Sequence, residues 1–132
     1  MIKVINVISD TNIGGAGKCL LTYLSHADKS KFDVSVVLPK NSLLKSHLEE
    51  LGVTLFEIDA MSDKSLDYKA ISQLKKIFKR EIPDIVHSHA SMSARIAARS
   101  VGVKVIYTRH SVFPPSAHIS KGIGKKNQRH CK

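Results

Sequence analysis

The sequence has no tryptophan, and aromatic residues make up only 5% of its 132 positions. Proteins that grip unpaired bases need an aromatic stacking surface. With no such surface and no recognisable module, a nucleic-acid partner is not expected. Cysteine is nearly absent as well: Cys19 and Cys131 form neither a metal spacing nor a redox pair, and both read as free thiols in a reducing compartment. No apolar run approaches the ~20 residues that a membrane span requires. The opening Met1-Ile2-Lys3-Val4-Ile5 leads straight into an apolar run, unlike a signal peptide. The expectation is a soluble, cytoplasmic chain. Also missing are a Gly-x-Ser-x-Gly nucleophile elbow and a carboxylate pair placed for acid–base hydrolysis.

The length fits one domain with a core of its own. Hydrophobic residues at 42% and charged residues at 24% describe a globular chain rather than a disordered one. The net charge is +10, from 21 basic and 11 acidic residues. Half of that excess lies in residues 116–132, where Lys121, Lys125, Lys126, Arg129 and Lys132 occur with no acid. Such a balance suits phosphate-bearing substrates or an anionic membrane, and charge alone does not choose between them.

Short β-branched runs alternate with helical patterns. Lys3–Ile8 is almost wholly apolar, as a central parallel strand covered on both faces should be. Ser9–Gly15 is a turn, and the helix after it places Leu20, Leu21 and Leu24 on one side. Asp33–Leu38 is a second strand closed by Pro39. Asn41 or Ser42 can cap the next helix, which carries Leu44, Leu48 and Leu51 inward and stops at Gly52. Val53–Ile58 is a third strand. A helix over about Asp67–Arg80 buries Ala70, Ile71, Leu74, Ile77 and Phe78 and shows Lys69, Lys75, Lys76, Lys79 and Arg80 outward, ending before Pro83. Asp84–His87 is a short fourth strand, Ser91–Ser100 a small-residue helix stopped by Gly102, and Lys104–Thr108 a fifth strand. This βαβαβαβαβ order predicts an α/β fold: a Rossmann-like open parallel sheet with helices on both faces and right-handed crossovers. Residues 1–115 are assigned to that domain. Residues 116–132, which follow Pro114-Pro115 and lack apolar periodicity, are expected to be a disordered basic tail. A sheet of this type usually continues past a fifth strand, so the domain is expected to be incomplete.

Ligands of such sheets sit beyond the carboxyl ends of the strands, where three polar segments emerge. Asp10-Thr11-Asn12-Ile13-Gly14-Gly15-Ala16-Gly17-Lys18 offers close backbone approach and a helix amino terminus, which suit a phosphate. It is not a Walker A loop, because Asn12 stands where glycine is needed and Cys19 where Ser or Thr is needed. It also fails the dinucleotide pattern, which would need glycine at Leu20. The plainer alternative is a tight strand–helix turn. Val86-His87-Ser88-His89-Ala90 places two histidines on one side, read as polar substrate contact, as one packed and one solvated ring, or least readily as a metal site, since Asp10 and His110 are the only further ligands. Tyr107-Thr108-Arg109-His110-Ser111 pairs a planar guanidinium with an imidazole that both donates and accepts, a fit for sugar hydroxyls or phosphate or an ordinary polar loop. The basic face of the 67–80 helix is either solvated or set against an anionic membrane.

The ordered set of Lys3–Ile8, Gly14-Gly15, Pro83–His89 and Val105–Ser111 resembles the amino-terminal domain of GT-B fold, family 4 (group 1) retaining glycosyltransferases over roughly residues 1–115. The resemblance implies two Rossmann-like domains about a cleft, with the acceptor on this one and most of a nucleotide-sugar donor on the other. It implies that Gly14, Gly15 and, less firmly, Lys18 approach the donor phosphates, that His110 is the catalytic-site residue positioning the transferred sugar, and that His89, Arg109 and Asn12 line the substrate side. It further implies no cofactor and no bound metal, a polysaccharide, lipid-linked or small-molecule acceptor, and peripheral contact with the inner membrane face. The family's donor-binding carboxylates belong to the second domain, so this chain by itself is expected to be inactive. The alternative function is a non-catalytic acceptor- or phosphate-binding module.

Overall fold

In the computed structural model the described residues are 1–59, 61, 67–110 and the pair 128–129. Residues 111–115 and the remainder of the predicted tail lie outside them, as does the expectation of disorder there. The elements run β1 (Ile2–Ile8), α1 (Gly15–His26), β2 (Phe32–Pro39), α2 (Leu44–Glu50), β3 (Thr54–Ile58), α3 (Tyr68–Glu81), β4 (Ile85–His89), α4 (Met92–Ser100), β5 (Lys104–Thr108) and a two-residue β6 (Gln128–Arg129). All strand pairs are parallel, in the order β3-β2-β1-β4-β5-β6. Nothing apolar in the sequence signals β6.

The central strand explains the layering. In β1, Ile5 and Val7 point to one face, where Val37 and Val86 join Ala70, Leu74, Ile77 and Phe78 of α3 and Ala94, Ala97 and Ala98 of α4. On the other face Ile8, Val36 and Leu38 meet Leu20 and Leu24 of α1 and Leu44 and Leu48 of α2. Two helices therefore cover each face, and the α/β expectation holds. Side chains buried on both sides are why β1 and β2 read as nearly continuous apolar runs.

Local chemistry sets the ends. Asp67 caps α3, its carboxylate accepting from Ala70 N at 3.0 Å. Ser91 caps α4 through Ala94 N at 3.2 Å. Gly52 and Gly102 adopt φ +70° and +77° after α2 and α4, the left-handed stops expected of them. At α2 the helix begins later than either proposed cap: Leu43 is the cap position, while the Ser42 hydroxyl accepts from Leu44 N at 3.2 Å. Three strands are longer than predicted, β1 by Ile2 alone. β2 includes Pro39 at its end. β4 runs to His89 instead of His87, because Ser88 and His89 pair with Tyr107 and Thr108 of β5.

Candidate functional site

The chain leaves β1 toward β2 on one side, while β4 pairs with β1 on the other. The crevice between the carboxyl ends of β1 and β4 is thus the switch point at which open α/β sheets bind ligands. Both ends carry polar residues. Register places Asn6 beside His87, Ile8 beside His89, and His89 beside Thr108. Residues level with one another on parallel strands share a face, so Asn6, His87, His89 and Thr108 point to the same side as Ile8.

These side chains are joined. His89 is 4% exposed and Asn6 is fully buried. One ring nitrogen of His89, Nε2, lies 3.2 Å from Asn6 Oδ1, and the other, Nδ1, lies 3.2 Å from His110 Nε2. His87 Nε2 lies 2.7 Å from the Thr108 hydroxyl. The rings are layered, with centroids 4.1 Å apart for His87–His89 and 5.5 Å apart for His89–His110. Burial disfavours the charged form of each ring, and neighbouring imidazoles add repulsion for two of them. His89 is pushed down to about 3 by desolvation and then by His87 and His110. His87 is pushed to about 4 by desolvation and then by His110. His110 is lowered by desolvation alone. At neutral pH the layer is uncharged.

The β1–α1 loop leaves the same carboxyl-end edge of the sheet. Asn12 N donates to Asp10 Oδ1 at 2.9 Å, and Leu43 N donates to Thr11 O at 2.9 Å, which ties the loop to the start of α2. Gly14 occupies the cap position of α1 with no side-chain cap, and the first turn of α1 holds no acid. The helix amino terminus therefore carries no cap from its own first residues, and its nearest acid is Asp10, whose Oδ2 lies 3.4 Å from where a Cβ on Gly14 would stand. A Cβ at Gly15 would face open space, whereas one at Gly17 would come within 2.9 Å of Leu44 Cδ2. Gly17 is thus the packing glycine and Gly15 the accessible one. Lys18 and Asn12 are exposed, and Arg109 and His110 are half-buried. Ala90, directly after His89, is held at φ 65°. That left-handed turn is unusual for alanine and lets α4 begin immediately.

The sequence-predicted residues fall on three adjacent segments of one sheet edge: Asn12, Gly14, Gly15 and Lys18 in the loop, His89 at the end of β4, and Arg109 and His110 just past β5. His89 differs from its expected use. Both ring nitrogens are engaged inside the protein and the ring is buried, so it does not line an open surface. Sequence reading missed Asn6. The available signal was an amide in the middle of an otherwise apolar central strand. Among the described residues no three His, Cys, Asp or Glu are grouped to hold a metal ion. The cavity of about 180 Å³ bounded by Leu24, Phe32 and Val53 lies at the amino-terminal strand ends, away from this chemistry.

The fold and the polar strand ends place the chain among the Rossmann-like domains of GT-B glycosyltransferases. Residues 13–130 match the model of Glycosyltransferase Family 4, and the chain belongs to that family. It is 30% identical, over 83% of its length, to the UDP-Gal:alpha-D-GlcNAc-diphosphoundecaprenol alpha-1,3-galactosyltransferase of Escherichia coli, and it spans 30% of that protein. In structure it is similar to a glycosyltransferase of Rickettsia africae, with a TM-score of 0.71 and 14% identity, over 89% of this chain and 32% of the other. It is also similar to MurG of Acinetobacter baumannii, with a TM-score of 0.69 and 15% identity, over 87% and 37%. The chain spans about a third of the length of the relatives it matches.

Proposed function

We propose that this chain is the acceptor-side domain of a two-domain enzyme that transfers a sugar from a nucleotide-sugar donor to an acceptor hydroxyl with retention. The observation that carries the reading is the placement, along one carboxyl-end edge of the sheet, of a helix amino terminus capped only by Gly14 and of a histidine held by a second, buried histidine. In this reading the N–H groups at Gly14 and Gly15, with Lys18, approach the donor diphosphate. His110 positions the transferred sugar, and Asn12 and Arg109 contact substrate. Charge that builds on the departing phosphate is stabilised by the helix terminus, which lowers the barrier. No metal is required for these steps.

The galactosyltransferase relative supports a uridine diphosphate sugar as donor and a diphosphate-linked lipid as acceptor, because its name specifies both. A lipid acceptor brings the enzyme to the cytoplasmic face of the inner membrane. Among the described residues no helix is long and apolar enough to cross a membrane. The basic residues of α3 would supply peripheral contact; Lys69 is paired with Asp59 at 3.0 Å and Arg80 with Glu81 at 2.8 Å, while exposed Lys76 and Lys79 form no ion pair with a described residue. The second reading is a non-catalytic acceptor- or phosphate-binding module, which the exposed Gly15 and Lys18 at the α1 amino terminus would serve without turnover.

The test is sugar transfer by the full-length gene product, with and without His110→Ala. Loss of one transition-state hydrogen bond should lower kcat/KM by about tenfold or more. Unchanged turnover removes the role given to His110. Binding of uridine diphosphate sugars with no turnover by any form selects the module.

A further inference from the structure

We infer that Asn6 is a positioning residue that fixes the tautomers of His89 and His110, so that His110 turns an unprotonated Nδ1 toward the ligand side. This deepens the reading of the site given above and rests on it for the word ligand; the tautomers themselves do not. An amide oxygen only accepts. Asn6 Oδ1 lies 3.2 Å from His89 Nε2, so Nε2 carries the hydrogen and donates. A neutral imidazole has one N–H, which leaves His89 Nδ1 as an acceptor. Its partner at 3.2 Å is His110 Nε2, which must therefore donate. His110 is then the Nε2–H form, and its remaining nitrogen, Nδ1, is a bare acceptor. A sugar hydroxyl can donate to it.

Two further observations agree. Asn6 is fully buried in the central strand, between Val36 and His87 in register, where a valine would pack without penalty. Its Nδ2 has no hydrogen-bond partner among the described residues. A buried amide left half-satisfied is costly, so the half that is satisfied, the bond to His89, is the feature that explains its presence. The layer is also closed to the alternative. The opposite His89 tautomer would set a bare nitrogen against the Asn6 carbonyl oxygen and lose that bond, while the His89–His110 contact, which either ring can donate, would not offset it.

The test needs no turnover. Two-bond 1H–15N correlation spectra of the 15N-labelled chain near pH 8 report the tautomer of each imidazole. His89 and His110 are both expected as the Nε2–H form, in about tenfold excess or more, the ratio that follows from bonds of this strength. Asn6→Leu removes the acceptor, and the Nε2–H excess of both rings should then fall toward the modest one of an unbonded neutral imidazole while the remaining amide spectrum stays folded. If Asn6→Leu does not fold, Asn6→Asp keeps an acceptor at the same place and adds charge. The Nε2–H forms should persist there, and the titration midpoint of His89 should rise, with His87 and His110 as the other titrating groups against it. A dominant Nδ1–H form of either ring in the wild type overturns the inference. So do wild-type tautomers that survive in folded Asn6→Leu, or a His89 midpoint that Asn6→Asp leaves unmoved. Fixed tautomers in a chain that binds no donor would retain the inference about Asn6 and reject the functional reading instead.

Discussion

Acidification from pH 8 to pH 5 should destabilise this domain before the hydrogen-bonded carboxylates of Asp28 and Asp59 are protonated, because His89 is buried and His87 half-buried in uncharged form. The sign follows from linkage. His89 and His87 have folded pKa values of about 3 and about 4 against an ordinary 6.5. Between 6.5 and those values the unfolded chain binds more protons than the folded one, so stability is complete above about 6.5 and falls as pH drops. At pH 5 an unfolded histidine is almost fully protonated while both folded rings remain neutral. That difference amounts to about 2 kcal/mol for His89 and somewhat less for His87, whose ring is only half-buried, or roughly 3 kcal/mol together. His110, lowered by burial, adds in the same direction. Asp28, Asp59 and Glu81 are held below their usual range by hydrogen bonds to Ser30, Lys40 and Arg80 respectively. Their contributions are lost only below about pH 4.5, outside the window. Against a total of about 5–15 kcal/mol for a domain, a loss of this size is easily measured. Urea unfolding followed by circular dichroism at pH 8, 7, 6 and 5, at fixed ionic strength, reads it as a falling midpoint with a constant slope. The double variant His87→Gln/His89→Gln should flatten most of the dependence. A midpoint that does not move between pH 8 and pH 5, or a double variant as pH-sensitive as the wild type, would refute the buried neutral layer.

Two further predictions concern the glycines of the β1–α1 segment. Gly17→Val forces side-chain atoms into the space of buried Leu44, with the Cβ alone 2.9 Å from Leu44 Cδ2, and should destabilise by about 1–3 kcal/mol in urea unfolding. Gly15→Ala meets nothing at its Cβ and should leave stability unchanged or raise it by up to about 1 kcal/mol, while weakening uridine diphosphate binding measured by calorimetry.

Much of the fold was legible because each element obeyed one dominant rule. The apolar runs of β1 and β2 gave central strands, and Leu20, Leu24, Leu44 and Leu48 gave the helix faces that cover them. The fourth strand was harder. His87, Ser88 and His89 look like loop residues, and their place in β4 comes from pairing with β1 and β5, which no local pattern contains. The same pairing turns His89 inward. There its ring meets Asn6, 83 residues away in sequence. The glycines posed the reverse difficulty. Gly14, Gly15 and Gly17 look alike in sequence, and only the approach of α2 makes Gly17 a packing residue and leaves Gly15 open.

The most direct test of the site is a 1H–15N titration of the labelled chain with uridine diphosphate into the millimolar range. The account predicts saturable shifts at the amides of Gly14, Gly15 and Lys18 and at His110, lost in Gly15→Ala. Shifts confined to the amino-terminal strand ends around Met1, Phe32 and Thr54, or none at all, would contradict it.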